Sequence, residues 1–188
     1  MATATERRLV VLDRDGVINR ESKDFIRTPN EWLPLPGSIE AIADLTRAGF
    51  AVVVASNQSG VGRGLFTADS LAAIHARMTR TVEAAGGWLA GIFVCPHRPE
   101  DACKCRKPLP GLLQQIETTF GVTLRGQPAI GDSYRDLEAA WRVGARAILV
   151  QTGNGLETEQ RLGAGAAVEV FPDLAAAAAL LIAECEER

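Results

Sequence analysis

A three-layer α/β/α sandwich around a mainly parallel sheet is the fold this sequence predicts, and three observations carry it. Short apolar, β-branched runs alternate with stretches of helical period, glycines stand where the helical stretches stop, and polar residues cluster directly after the runs. The 188 residues, 47% of them hydrophobic, suit one core, because a second would leave each half thin. A single domain over 1–188, Rossmann-like and without a large cap, is expected, since no interval between runs is long enough to hold one.

The first run, Leu9 to Leu12, is followed by a helical stretch from Ser38 to Ala48 that Gly49 closes. Ala51 to Ala55 is the second strand. After it, Gly60, Gly62 and Gly64 fit neither G-x-G-x-x-G nor G-x-x-x-x-G-K-[ST], so they read as a flexible loop with Arg63 as a phosphate contact, not as a nucleotide site. Leu71, Ile74, Met78 and Val82 recur three or four residues apart on one face of a helix begun near Thr67. Gly91 to Val94 is the third strand, Leu112 to Phe120 a helix ending at Gly121, and Ala129 to Ile130 the fourth strand. Tyr134 to Val143 is a helix ending at Gly144, Ala147 to Val150 the fifth strand, and Ala167 to Val170 a weaker sixth. The apolar stretch Leu174 to Ala183 falls well short of the roughly 18 residues of a membrane span. His75 and Cys185 read as incidental helix residues.

Composition narrows the partners. A formal charge of -3 gives no field to draw nucleic acid. The opening MATATERR lacks the apolar core of a secretion signal. A soluble, cytoplasmic monomer acting on a small molecule is expected.

Asp13 and Asp15 follow the first strand, Ser56 and Asn57 the second, Cys95 the third and Asp132 the fourth. In an open parallel sheet that carboxyl edge is where ligands bind, so groups over a hundred residues apart can converge there. In Asp13-Arg14-Asp15-Gly16 two carboxylates stand so close that a cation between them is expected, and Mg²⁺ suits a site of few carboxylates; a solvated turn is the plainer alternative. Asp132 could complete that site or cap a helix with Ser133, and Asp136 could support it one turn on or lie exposed. Lys107 alone reads as a surface lysine; beside carboxylates and a phosphate it would neutralise charge, with the Ser56 hydroxyl and following N–H groups binding phosphoryl oxygens. Cys95, His97, Cys103 and Cys105 offer three thiolates and an imidazole within eleven residues, a donor set for closed, structural Zn²⁺, although reduced cysteines without metal fit the spacing too.

In order, DRDGV, ASNQSG, CRKP and GDSYRD resemble the haloacid dehalogenase superfamily across about residues 9–150. The resemblance implies that Asp13 attacks phosphorus, that Asp15 protonates the leaving oxygen and later activates water, and that Ser56 and Lys107 hold the phosphoryl group. It also implies Mg²⁺ on Asp13, the Asp15 carbonyl and Asp132. CPH followed by CKCRKP is similar to the zinc-loop, capless branch, whose members act on heptose bisphosphate or histidinol phosphate. NQSGVGRGLFT favours the 7-phosphate of D-glycero-D-manno-heptose 1,7-bisphosphate. By the same resemblance Arg106 recognises substrate, and Glu21, Ser22, Lys23 and Asp24 line its site with Ser56, Asn57, Gln58 and Ser59. Two departures stand out: Glu21 to Asp24 replaces a His-Gly-Tyr of some relatives, and Ser133 replaces a lysine. Histidinol phosphate is the alternative substrate. A phospho-aspartate signalling module is the alternative class, though its acceptor would sit where Cys95 stands.

Overall fold

The computed structural model describes residues 8–162 and 168–187. The N-terminal segment before Arg8, and Ala167 of the sixth expected strand, lie outside the described residues. Six strands form one sheet, all parallel, in the order β3-β2-β1-β4-β5-β6: β1 Leu9–Leu12, β2 Ala51–Asn57, β3 Gly91–Cys95, β4 Pro128–Gly131, β5 Arg146–Val150 and β6 Glu169–Phe171. Register runs from Leu9 opposite Ala51 to Leu12 opposite Val54 on one side of β1, with Val11 opposite Ala129 on the other. The order reverses between β1 and β4, so the loops leaving these strands diverge and open a crevice.

Strand side chains alternate between two cores. Val10, Leu12, Val52, Val54, Ile130, Ile148 and Val150 face one, against α1 (Ser38–Arg47), α3 (Ala68–Ala84) and α7 (Leu174–Glu186). Leu9, Val11, Val53, Ala55, Ala129, Ala147 and Leu149 face the other, against α4 (Gly111–Phe120) and α5 (Tyr134–Arg142). The expected periodic set Leu71, Ile74, Met78 and Val82 is the buried face of α3, each side chain contributing about 1.5–3 kcal/mol by burial. Thr67 caps that helix by accepting from Ser70 N–H. Gly49, Gly121 and Gly144 all take positive φ where their helices stop.

Two segments depart from the sequence reading. Two of the three glycines after β2 are not in a loose loop: Ser59–Gly62 is a helical turn, α2, with Gly60 against the Phe66 ring and Gly62 against the Pro96 carbonyl, while Gly64 follows it in open space. A Cβ at Gly60 or Gly62 would collide, so those two glycines serve close packing. The chain after β5 forms α6, Gly155–Leu162, which the expectations did not include. The stretch 13–37 between β1 and α1 is tied by the bridges Asp15–Asn19 and Asn19–Pro34, and its Trp32 is buried with Nε1 donating to Asn19 Oδ1. Among the described residues no helix is long and apolar enough to cross a membrane.

Candidate active site

The crevice at the carboxyl edge is lined by Asp13, Arg14, Asp15, Glu21, Ser22, Lys23, Phe25, Ile26, Ser56, Asn57, Gln58, Ser59, Arg106, Lys107, Asp132, Ser133, Arg135 and Asp136. Asp24 turns instead to an adjoining groove beside Arg20, Arg27 and Glu31. Arg63 lies outside the crevice, 4.0 Å from Glu100.

Asp13 leaves β1 with its backbone N–H bonded to the Ile130 carbonyl at 2.9 Å, which sets the spacing of β1 and β4 at the crevice floor. Its carboxylate lies 3.1 Å from Lys107 Nζ. The same ammonium is 2.6 Å from Asp136 Oδ1 and donates to the Ala55 carbonyl at 2.7 Å. Lys107 is 4% exposed, a buried cation and not the surface lysine its isolated reading suggests. Burial opposes its charge, but Asp13 and Asp136 win and hold it above the usual lysine range. Its main chain is fixed from β2: Asn57 Nδ2 donates to the Lys107 carbonyl at 3.0 Å and Lys107 N–H donates to Asn57 Oδ1 at 3.1 Å.

Asp13, Asp132 and Asp136 bring carboxylate oxygens within 4.8 Å of one another. Burial first, opposed at Asp13 by Lys107 and reinforced by the neighbouring acids, pushes Asp13 up to about 7. Burial and Asp136 likewise raise Asp132 to about 7, against donation from Asn154. Two buried acids and the half-buried Asp13 facing a single lysine are short of positive charge, and an all-oxygen donor set fits Mg²⁺. Asp136 is not an exposed acid: its second oxygen accepts from Ser133 N–H at 3.1 Å and from the Ser133 hydroxyl.

Asp15 is held differently, by a fork from Arg14 (Nη2 at 2.9 Å to each oxygen, Nε at 3.1 Å), by Asn19 Nδ2 at 2.8 Å and by Gln58 Nε2 at 2.8 Å. Gln58 also donates to Ser56 Oγ at 2.8 Å, joining the ends of β1 and β2. Arg14 is fully buried, with His75 Nε2 at 3.4 Å behind it, so His75 abuts the site and is not incidental. Burial, then the Arg14 charge, pushes His75 down to about 4. A bidentate, desolvated guanidinium fixes both the position and the orientation of a carboxylate.

Sequence reading missed the loop after β5. Asn154 donates to Asp132 Oδ2 through its backbone N–H at 2.8 Å and its amide at 3.1 Å, Thr152 Oγ1 donates to the Gly16 carbonyl at 2.6 Å, and Thr158 Oγ1 donates to the Asp132 carbonyl at 2.9 Å. Gly16 and Gly153, both at positive φ, press on the Asp132 carboxylate so closely that a Cβ on either would collide with it.

The thiol cluster lies beside the crevice. Sulfur atoms of Cys95, Cys103 and Cys105 are 3.2, 3.5 and 3.6 Å apart, and His97 Nδ1 is 3.3 Å from Cys105 and 3.6 Å from Cys95. These edges approach the ~3.8 Å of a tetrahedron with Zn–S of about 2.3 Å. Burial, and hydrogen bonding with Cys105, push Cys95 up to about 12, so the three thiols need a bound cation to be thiolates together. The cluster ends one residue before Arg106 and two before Lys107.

Two family models match: one described as HAD-hydrolase-like over residues 104–177, the other as polynucleotide kinase 3 phosphatase over residues 9–130. The D-glycero-beta-D-manno-heptose-1,7-bisphosphate 7-phosphatase of Bordetella bronchiseptica is 50% identical over 94% of this chain and 99% of its own. That of Pseudomonas aeruginosa is 50% identical over 94% and 98%. The crystal structure of the D,D-heptose 1,7-bisphosphate phosphatase from B. bronchiseptica, complexed with magnesium and phosphate, has a TM-score of 0.91 at 50% identity and covers 94% of this chain and 99% of that one.

Proposed function

We propose a substrate and a set of residue roles from one premise: the chain belongs to the haloacid dehalogenase family of phosphatases. The reading supported best is removal of the 7-phosphate of D-glycero-β-D-manno-heptose 1,7-bisphosphate. The observation that carries the mechanism is Asp13 at the end of β1, 3.1 Å from a buried lysine and grouped with Asp132 and Asp136. The substrate follows from relatives 50% identical along almost their whole length.

A carboxylate oxygen of Asp13 attacks phosphorus in line, forming an O–P bond as the bond to the sugar oxygen breaks; Asp15 gives that oxygen its proton. Asp15 then takes a proton from water as the water attacks the aspartyl-phosphate, and the Asp13–phosphorus bond breaks to release phosphate. Lys107 and Ser56 hold the phosphoryl oxygens, while Arg14, Asn19 and Gln58 aim Asp15. Asp13, Asp132 and the Asp15 carbonyl would hold Mg²⁺, which would supply positive charge to offset that of the phosphoryl group. Arg106, with Glu21, Ser22, Lys23 and Ser56 to Ser59, forms the sugar site. Cys95, His97, Cys103 and Cys105 hold Zn²⁺ as a brace for the loop carrying Arg106 and Lys107. The whole of 1–188 acts as one domain, a cytoplasmic monomer.

Phosphate release from the two heptose anomers, histidinol phosphate and a 3′-phosphorylated oligonucleotide, each with and without Mg²⁺, tests the reading. Mg²⁺-dependent turnover with kcat/KM highest for the β-heptose substrate supports it; preference for another substrate overturns the assignment while leaving the chemistry.

Mg²⁺ affinity is expected to climb with pH. The folded-state values of about 7 for Asp13 and Asp132 stand above their ordinary 3.8. Between those values the metal-free native state binds more protons than the unfolded chain, so these two groups contribute less stability as pH rises. Mg²⁺ needs both ionised. Its affinity should rise about tenfold or more per unit between about pH 5 and about pH 7, then level off. Titration calorimetry showing flat affinity across that range would remove both acids from the metal site. A strong zinc chelator should release about one Zn²⁺ per chain and lower the melting temperature by several degrees. An unchanged melt after full zinc release would make the cluster dispensable for folding.

A further inference from the structure

We propose that Arg135, paired with Arg106, holds the second, non-reacting phosphate of a bisphosphate substrate and so sets a preference for bisphosphates over monophosphates. The inference deepens the phosphatase reading above and rests on it.

Five cations line the crevice, Lys23 and Arg135 of them exposed, and two of the five are paired with carboxylates. Lys107 is held by Asp13, Asp136 and the Ala55 carbonyl at the reacting phosphate, and Arg14 is held by Asp15. Lys23, Arg106 and Arg135 remain, and the two arginines come from different elements: the loop before α4 and the first turn of α5. Each arginine bonds only neutral oxygen among the described residues. Arg106 Nη1 donates to the His97 carbonyl at 3.3 Å, and Arg135 Nε donates to the Ser133 hydroxyl at 3.2 Å. Glu21, on the same rim, is hydrogen-bonded to Asn154 at 3.2 Å and to the Ser22 N–H, not to either guanidinium. The two guanidiniums line the same crevice as Asp13, Ser56 and Lys107. Two unpaired like charges facing one opening are relieved by an anion between them, and the guanidinium fork matches phosphate oxygens.

The position is also tied to the reacting centre. Ser133 bonds Asp136, and Asp136 is 2.6 Å from Lys107, which in turn is 3.1 Å from Asp13. A phosphate on Arg135 is thereby set at a fixed place relative to the nucleophile, so its binding energy orients the far phosphate for attack.

The test compares kcat/KM for β-heptose 1,7-bisphosphate with that for the same sugar carrying only the 7-phosphate, in the wild type, Arg135→Gln and Arg135→Lys. The preference for the bisphosphate should fall at least about tenfold in Arg135→Gln, through KM for the bisphosphate more than through kcat, and recover in part in Arg135→Lys. A preference ratio unmoved by Arg135→Gln, or an equal kcat loss on both substrates, overturns the inference and leaves the phosphatase standing. Failure of the wild type to hydrolyse the bisphosphate overturns both.

Discussion

Asp13→Asn is expected to give a folded protein whose phosphate release falls by on the order of 10⁴-fold or more, because an amide oxygen is too weak a nucleophile to form the covalent intermediate. The fold should survive for reasons visible around the side chain. The backbone bond from residue 13 to Ile130 does not involve the carboxylate. Lys107 loses a partner at 3.1 Å but keeps Asp136 at 2.6 Å and the Ala55 carbonyl at 2.7 Å. Burial already penalises the Asp13 charge enough to push it up to about 7, so a neutral replacement relieves part of that cost. The melting temperature without Mg²⁺ should therefore stay within a few degrees of wild type. Near-normal phosphate release from the folded variant would remove Asp13 from the nucleophile's role.

Lys107→Met is expected to do the opposite to stability. It removes the one ammonium shared by Asp13 and Asp136 in a site that is almost fully buried. Breaking a buried pair from one side costs about 3–5 kcal/mol, which for a chain this size lowers the melting temperature by about 6–20 °C. Turnover should fall by about 10²–10³-fold or more, since a preorganised cation is lost beside the phosphoryl group. The double variant Asp13→Asn/Lys107→Met supplies the control. Removing an acid along with its partner should restore part of the lost stability, a coupling of about 0.5–3 kcal/mol. Strict additivity of the two single changes would mean that the 3.1 Å pair contributes nothing.

The fold was legible because its parts follow local rules. Apolar runs such as Val52 to Val54 are buried on both faces of a parallel sheet, and Leu71, Ile74, Met78 and Val82 carry the helical period on α3. The convergence of Asp13, Lys107 and Asp132 on one crevice was visible through motifs in order. The supporting partners were not. Arg14 looked like a spacer in Asp13-Arg14-Asp15, and nothing in one sequence says that a guanidinium there is buried with His75 behind it, since that contact joins β1 to α3. Asn154 could have been found: Gln151 to Asn154 is a polar, glycine-containing segment directly after β5, the same signal that picked out the residues after β1, β2 and β4. α6 lacks a strong apolar period, with only Gly155 and Thr158 buried, so pattern alone gives it little away. The helical turn at Ser59–Gly62 depends on contacts with Phe66 and Pro96, which glycine counting cannot supply.

Gly16 and Gly153 have a consequence for ion choice. A backbone is pressed against the Asp132 carboxylate from each of two loops and Asn154 bonds its Oδ2 twice, so in the proposed Mg²⁺ site this carboxylate is expected to resist turning to bidentate coordination. Mg²⁺ accepts oxygen at about 2.0–2.1 Å in a fixed octahedron, whereas Ca²⁺ wants about 2.3–2.6 Å and more ligands. In that proposed site the glycine pair is expected to act as a calliper that favours the smaller ion. Calcium should occupy the crevice without supporting turnover, and full activity with Ca²⁺ would mean that the carboxylate moves freely after all.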